Sequence, residues 1–121
     1  MATDSQKLNS LAQVEHDHTE YRKRVAAYAD GSSVSYEDTS FVSGDSPAAL
    51  DIYTDLGRIG HDGYVINDGT GNFTVEISFN GTTYGGLHTI KNGEILKLTG
   101  LTIKKIRIIW VTNSSYRVFV V

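Results

Sequence analysis

Apolar side chains recur along this chain with two different periods, and the change falls at Gly31. Before it, Leu11, Val14, His18, Tyr21, Val25 and Tyr28 step alternately by three and four residues, which predicts a helix with a heptad seam. Asp4 or Ser5 is placed to cap its start, and Gly31 to close it. Leu8 falls one residue out of phase, so the seam is short. Two readings fit it: one amphipathic helix lying on a sheet, or helices of several subunits packing together.

After Gly31 the period becomes two, broken by turn signals every eight to twelve residues. Strands are predicted over residues 32–36, 40–43, 48–53, 63–66, 72–79, 87–91, 94–98, 101–111 and 115–121. Phe73, Val75, Ile77 and Phe79 share one face of theirs, with Thr74, Glu76 and Ser78 on the other, as in a half-buried antiparallel strand. Asn80-Gly81 and Asn92-Gly93 suit two-residue hairpin turns, and Asp68-Gly69-Thr70-Gly71 and Thr112-Asn113-Ser114 close two more. Between Leu101 and Val111 the apolar parity slips at Lys104-Lys105, which calls for a bulge or bend. The last strand is apolar on both faces, which makes it central or covered. The expected fold is therefore mainly β: an antiparallel β-sandwich or jelly-roll-like module, residues 31–121, preceded by an N-terminal α-helical arm, residues 1–30.

Composition narrows the chemistry. The 121 residues hold 12 Gly, all at or after Gly31, one Pro and no Cys. Absence of cysteine excludes disulfides, thiolate metal sites and a thiol nucleophile. A pI near 5.7 argues against nucleic acid as a partner. No apolar run has the length of a membrane helix, and MATDSQKLNS lacks the apolar stretch of a signal peptide, so no membrane partner is expected. The net charge of −3 divides unevenly, with −1 over residues 1–35, −7 over 36–86 and +5 over 87–121. Acidic and basic strands that cancel within one molecule would produce this split, and so would edges that face neighbouring copies.

Motifs for catalysis or metal binding are weak. In Glu15-His16-Asp17-His18 the two histidines point apart on a helix and cannot chelate one ion together. His18 interrupts the apolar seam, and three such rings meeting on an axis would form a polar layer that loosens as imidazoles charge. Asn67-Asp68-Gly69-Thr70-Gly71-Asn72 lacks the order of a calcium loop and reads as a turn. Asn72, Asn80 and Asn113 begin glycosylation-type triplets that are more simply turn residues. Asp51, Asp55, His61 and Asp62 supply acid–base groups without a spacing that selects a catalytic set. The chain is accordingly read as a non-enzyme without cofactor or metal.

The stretches AALDIYTDLGRIGHDGYVINDGTGNFTVEIS, Gly81–Leu101 (GTTYGGLHTIKNGEILKLTGL) and IRIIWVTNSSYRVFVV resemble small β-sandwich virion proteins of tailed bacteriophages, over about residues 47–121. The resemblance implies a head decoration, fibre base or tail adaptor. Such a protein resides in the virion, is often a homotrimer, and binds the major capsid protein or another head or tail protein without catalysis. Leu11, Val14, His18, Tyr21, Val25 and Tyr28 are then the expected assembly residues. The alternative function is a carbohydrate- or receptor-binding module of a fibre or tail. For that role Tyr36, Tyr53, Tyr64, Tyr84 and Tyr116 are candidate rings, and Tyr84, beside Gly85-Gly86, is the ring expected to be most exposed and the possible ligand contact.

Overall fold

Backbone pairing sorts the period-two region into two antiparallel sheets. The computed structural model describes residues 31–121; the expected helical arm and its six seam residues lie outside them. In chain order the elements are β1 (Val34–Phe41), a 3-10 turn (Ser43–Asp45), β2 (Ala48–Leu50), helix α1 (Ile52–Leu56), β3 (Gly63–Asn67), β4 (Phe73–Ser78), β5 (His88–Ile90), β6 (Ile95–Leu98), β7 (Lys105–Trp110) and β8 (Ser114–Val120). The first sheet runs β1-β8-β3-β6 and the second β2-β7-β4-β5. Every connection except β4–β5 carries the chain from one sheet to the other. Eight strands wound this way into two four-stranded sheets make a jelly roll.

The inward faces meet in one core. Val65, Val118 and Val120 from the first sheet face Phe73, Val75, Ile106 and Ile108 from the second, all almost completely buried. At one end Phe41, Phe73 and Tyr116 meet edge to face, with ring centroids 5.3–6.4 Å apart. Near the other, the bridge between Gly60 and Ile103 closes the floor, where a Cβ on Gly60 would stand 2.4 Å from Val120 Cγ1.

Several expected boundaries move, each for a local reason. The strands expected at 32–36 and 40–43 are one strand, β1, whose register against β8 shifts between Asp38 and Phe41. That irregularity brings Phe41 inward although Tyr36, five residues earlier, also packs on the core. The strand expected to reach Tyr53 stops at Leu50, because the Asp51 carboxylate accepts from Thr54 N at 3.2 Å and starts α1. Gly57, at φ 78°, ends it. The run expected at 101–111 bends at Lys104, whose N–H donates to Ser78 O, so Ile103 and the opposite-parity Ile106 and Ile108 are all buried.

All but one of the turn signals are corners rather than hairpins. Asn92-Gly93, Asp68–Gly71 and Thr112–Ser114 each join strands of different sheets, and Asn80-Gly81 opens a loop over residues 79–87. Left-handed φ at Gly81 and Gly93 is what those dipeptides encode; which strand the chain meets afterwards is decided by burial of the next apolar face.

As expected, β8 is central, lying between β1 and β3. A chain ending at Arg117 loses Val118 and Val120, buried side chains each contributing about 1.5–3 kcal/mol, and the ladders on both sides of them. Against the roughly 5–15 kcal/mol available to a domain, that chain should show no cooperative melt by circular dichroism. A transition close to that of the full chain would contradict this account.

Tyr36 makes a second stability prediction. Its hydroxyl donates to Asp55 Oδ2 at 2.5 Å, tying β1 to α1. Burial, reinforced by that carboxylate, raises its pKa well above the ordinary value of 10.0. Below that value the hydroxyl is protonated in both folded and unfolded chains, and its contribution is intact. Above it the unfolded chain ionises first, so stability falls as pH rises. The urea midpoint should therefore drop between about pH 10 and 11, and Tyr36→Phe should flatten this dependence.

Candidate functional site

The buried polar residue that organises the surface is Asn67, at the end of β3 and wholly inaccessible to solvent. Its Nδ2 donates to Gly71 O and Ile90 O, both at 2.8 Å. Its Oδ1 accepts from Gly69 N at 3.0 Å and from the Ser114 hydroxyl at 2.7 Å. Its main chain pairs with the β5–β6 corner, Asn67 N to Glu94 O and Gly93 N to Asn67 O, both at 3.0 Å. One side chain thus ties β3 to the second sheet through β5, and to β8 beside it.

Above this node the β3–β4 corner lies against the β7–β8 corner so closely that a Cβ at Gly69 would fall 2.3 Å from Ser114 Oγ. Beside them opens a shallow cleft of about 350 Å³ whose lining is mostly hydroxyl and main-chain groups, with Thr39, Ser40, Thr70 and Asn113 among them. No charged side chain lines it. Its chemistry is that of neutral hydrogen bonding.

A different opening lies on the side where β5 and β6 form the free edges of the two sheets. The β5 strand has three residues, and Gly85-Gly86 before it carry no side chains, so the gap between the sheets is not closed there. The resulting slot of about 310 Å³ has Val75, Ile77, Leu96 and Leu98 as its walls, with Phe79 and Leu101 at its end and His88 and Lys97 at its rim. Apolar walls with a few polar groups at the mouth suit recognition of an apolar group. Among the described residues, six large apolar side chains are exposed; Phe79 lines this slot, and Leu87 and Ile95 adjoin its lining residues in sequence.

Tyr84 is not the open ring expected of it. The Arg107 guanidinium lies 4.1 Å from its ring centroid, and Arg107 in turn contacts Glu76 at 2.8 Å, so the ring is half-buried on the outer face of the second sheet. Tyr116 is in the core, Tyr36 packs against it, and Tyr64 stacks on Phe119 with centroids 5.6 Å apart. Tyr53, 51 % exposed on α1, is the ring that stands out.

The acid–base candidates are occupied in the framework. Asp51 caps α1, Asp55 receives Tyr36, Asp62 accepts from Gly100 N at 2.8 Å, and His61 Nδ1 lies 2.9 Å from Leu101 O. The hydrogen bond from Thr54 holds the Asp51 carboxyl below its usual range, and that from Arg117 does the same for Asp68. No group of three His, Cys, Asp or Glu among the described residues is arranged to hold a metal. Asn67 and the slot are the features that the sequence reading missed. The clue to Asn67 was a turn sequence with two glycines, but its partners come from 23 and 47 residues away.

Replacing Asn67 by Leu takes the side-chain partner from the Ile90 carbonyl and the Gly69 amide, while the Ser114 hydroxyl keeps Gly71 O at 3.0 Å. Buried groups left unpaired cost about 1–3 kcal/mol each, so Asn67→Leu should destabilise the fold by roughly 3 kcal/mol in urea unfolding, whereas Asn92→Ala, at an exposed turn, should change it by less than about 1 kcal/mol. Comparison of the chain with family models, curated proteins and solved structures found no match.

Proposed function

We propose that this chain is a structural protein of a tailed-bacteriophage virion, a capsid decoration protein that binds the assembled shell and bridges its subunits. The observation that carries the reading is a jelly roll whose open β5–β6 edge holds an apolar slot with the exposed Phe79 in its lining. Jelly rolls build viral shell proteins and lectins alike, so architecture sets the class and the surface has to choose within it. An apolar slot open at the surface of a small module suits contact with another protein. Binding of this kind stabilises the partner by mass action, since the bound shell is favoured over the open one. Self-association, with the trimer as its expected form, belongs to the same reading.

A second reading, a glycan- or receptor-binding module, is favoured by the neutral hydroxyl-lined cleft beside Asn113 and Thr70. In this reading the cleft takes the place of Tyr84, whose ring already stacks on Arg107.

The two separate in one pair of measurements. A decoration protein should co-sediment with expanded phage heads and saturate at a fixed ratio to the major capsid protein, while a glycan array stays blank. Binding to glycans without capture by heads would replace the first reading with the second.

A further inference from the structure

Two Asn-Gly dipeptides stand among the described residues, Asn80-Gly81 and Asn92-Gly93, and both asparagines are exposed. The pair is chemically labile in any chain. The glycine nitrogen, losing its proton, attacks the side-chain amide carbon; a C–N bond forms, the bond to the amide nitrogen breaks, and ammonia leaves with the proton. Glycine offers the least hindrance to this closure because it has no Cβ. Water then opens the resulting succinimide at either carbonyl, which yields aspartate or isoaspartate. Closure needs an asparagine side chain free to rotate and a following N–H free to give up its proton. The other described asparagines, Asn67, Asn72 and Asn113, precede Asp68, Phe73 and Ser114, whose side chains crowd that nitrogen.

The fold separates the two dipeptides, although sequence and exposure do not. Asn80 Oδ1 accepts from Thr82 N and Thr83 N, both at 2.8 Å, and from the Ser78 hydroxyl at 3.3 Å. Gly81 N donates to the same Ser78 oxygen at 3.0 Å, and Ser78 is wholly buried. Both partners of the closure are therefore held at Asn80, and a Cβ on Gly81 would stand 3.3 Å from Lys104 Cδ. The Asn92 side chain has no hydrogen-bond partner among the described residues, and a Cβ on Gly93 would meet nothing within 4 Å. What restrains closure there is the hydrogen bond from Gly93 N to Asn67 O at 3.0 Å. We propose that Asn92 is a site of spontaneous deamidation, gated by opening of the Gly93–Asn67 hydrogen bond, and that Asn80 is shielded by its own loop. The isoaspartate product inserts a backbone methylene into the β5–β6 corner, between Ile90 and Ile95, and so loosens an edge of each sheet. This chemistry needs water alone as co-reactant and is independent of what the chain binds.

Peptide mapping of the full chain, aged while folded in mildly alkaline buffer, reads the two sites separately. The acid and amide forms of each peptide differ in mass, and isoaspartate is told from aspartate by its elution. Asn92 should convert at least about tenfold faster than Asn80, the difference expected when several hydrogen bonds must open rather than one. In urea, where neither dipeptide is held, the two rates should converge, and the rate at Asn92 should exceed that in the folded chain. Conversion at Asn80 that matches or outpaces Asn92 in the folded chain overturns the proposal. So does a folded chain in which Asn92 stays intact while both dipeptides convert in urea, or a gap between the sites that persists in urea and so belongs to the sequence. An equal rate at Asn92 in folded and unfolded chains overturns the gate. The isoaspartate form, once separated, should melt below the Asn92→Asp variant, which adds the charge without the methylene; equal melting overturns the loosening of the corner.

Discussion

The fold depends on a buried amide. Apolar burial is non-directional, so by itself it sets the relative position of two sheets less sharply than a hydrogen bond does. Asn67 removes that freedom, because its four side-chain hydrogen bonds are met at one relative position of β3, β5 and β8. In a low-dielectric interior such a network has a steep penalty for being half made. It fixes the corner against which the Gly69 and Gly71 backbones pack, and through that corner the cleft above it.

Away from this node, the surface is held by contacts of a weaker sort. The Arg117–Asp68 pair, at 2.6 Å, lies on the outer face of the first sheet, and the Arg107–Glu76 pair with Tyr84 lies on that of the second. Exposed pairs of this type contribute little to stability. Their effect is to occupy charge that would otherwise be free, so that Arg107 and Arg117 are engaged within the molecule while Lys91 and Lys97 stay exposed at one edge. Part of the segregation of charge along the sequence therefore cancels inside one molecule.

Much of the architecture was legible because strand period is a local property. The alternation in Phe73–Ser78 and the two-sided apolar run of β8 correctly indicated a half-buried strand and a central one. The parity slip at Lys104 correctly indicated a bend. What escaped was whatever depends on residues far apart. Asn-Gly dipeptides report φ, and φ is the same at a hairpin and at a corner between sheets, so the topology could not be read from them. The slot escaped for a related reason: it exists because β5 is short and Gly85-Gly86 are bare, and a gap between strands has no sequence of its own. Tyr84 was misplaced because Arg107, whose guanidinium takes up its ring, is 23 residues further on.

The position of β8 between β1 and β3 also governs the order in which the molecule can come into being. Both neighbours present an unpaired edge until the final strand is synthesised, and the β1–β8 ladder closes a loop spanning nearly the whole module. Topologies rich in such distant pairings fold slowly. A nascent chain of this protein therefore emerges with its first sheet split in two, and the sheet is completed only once β8 is free to pair. During that interval the edges of β1 and β3 are open to any strand nearby.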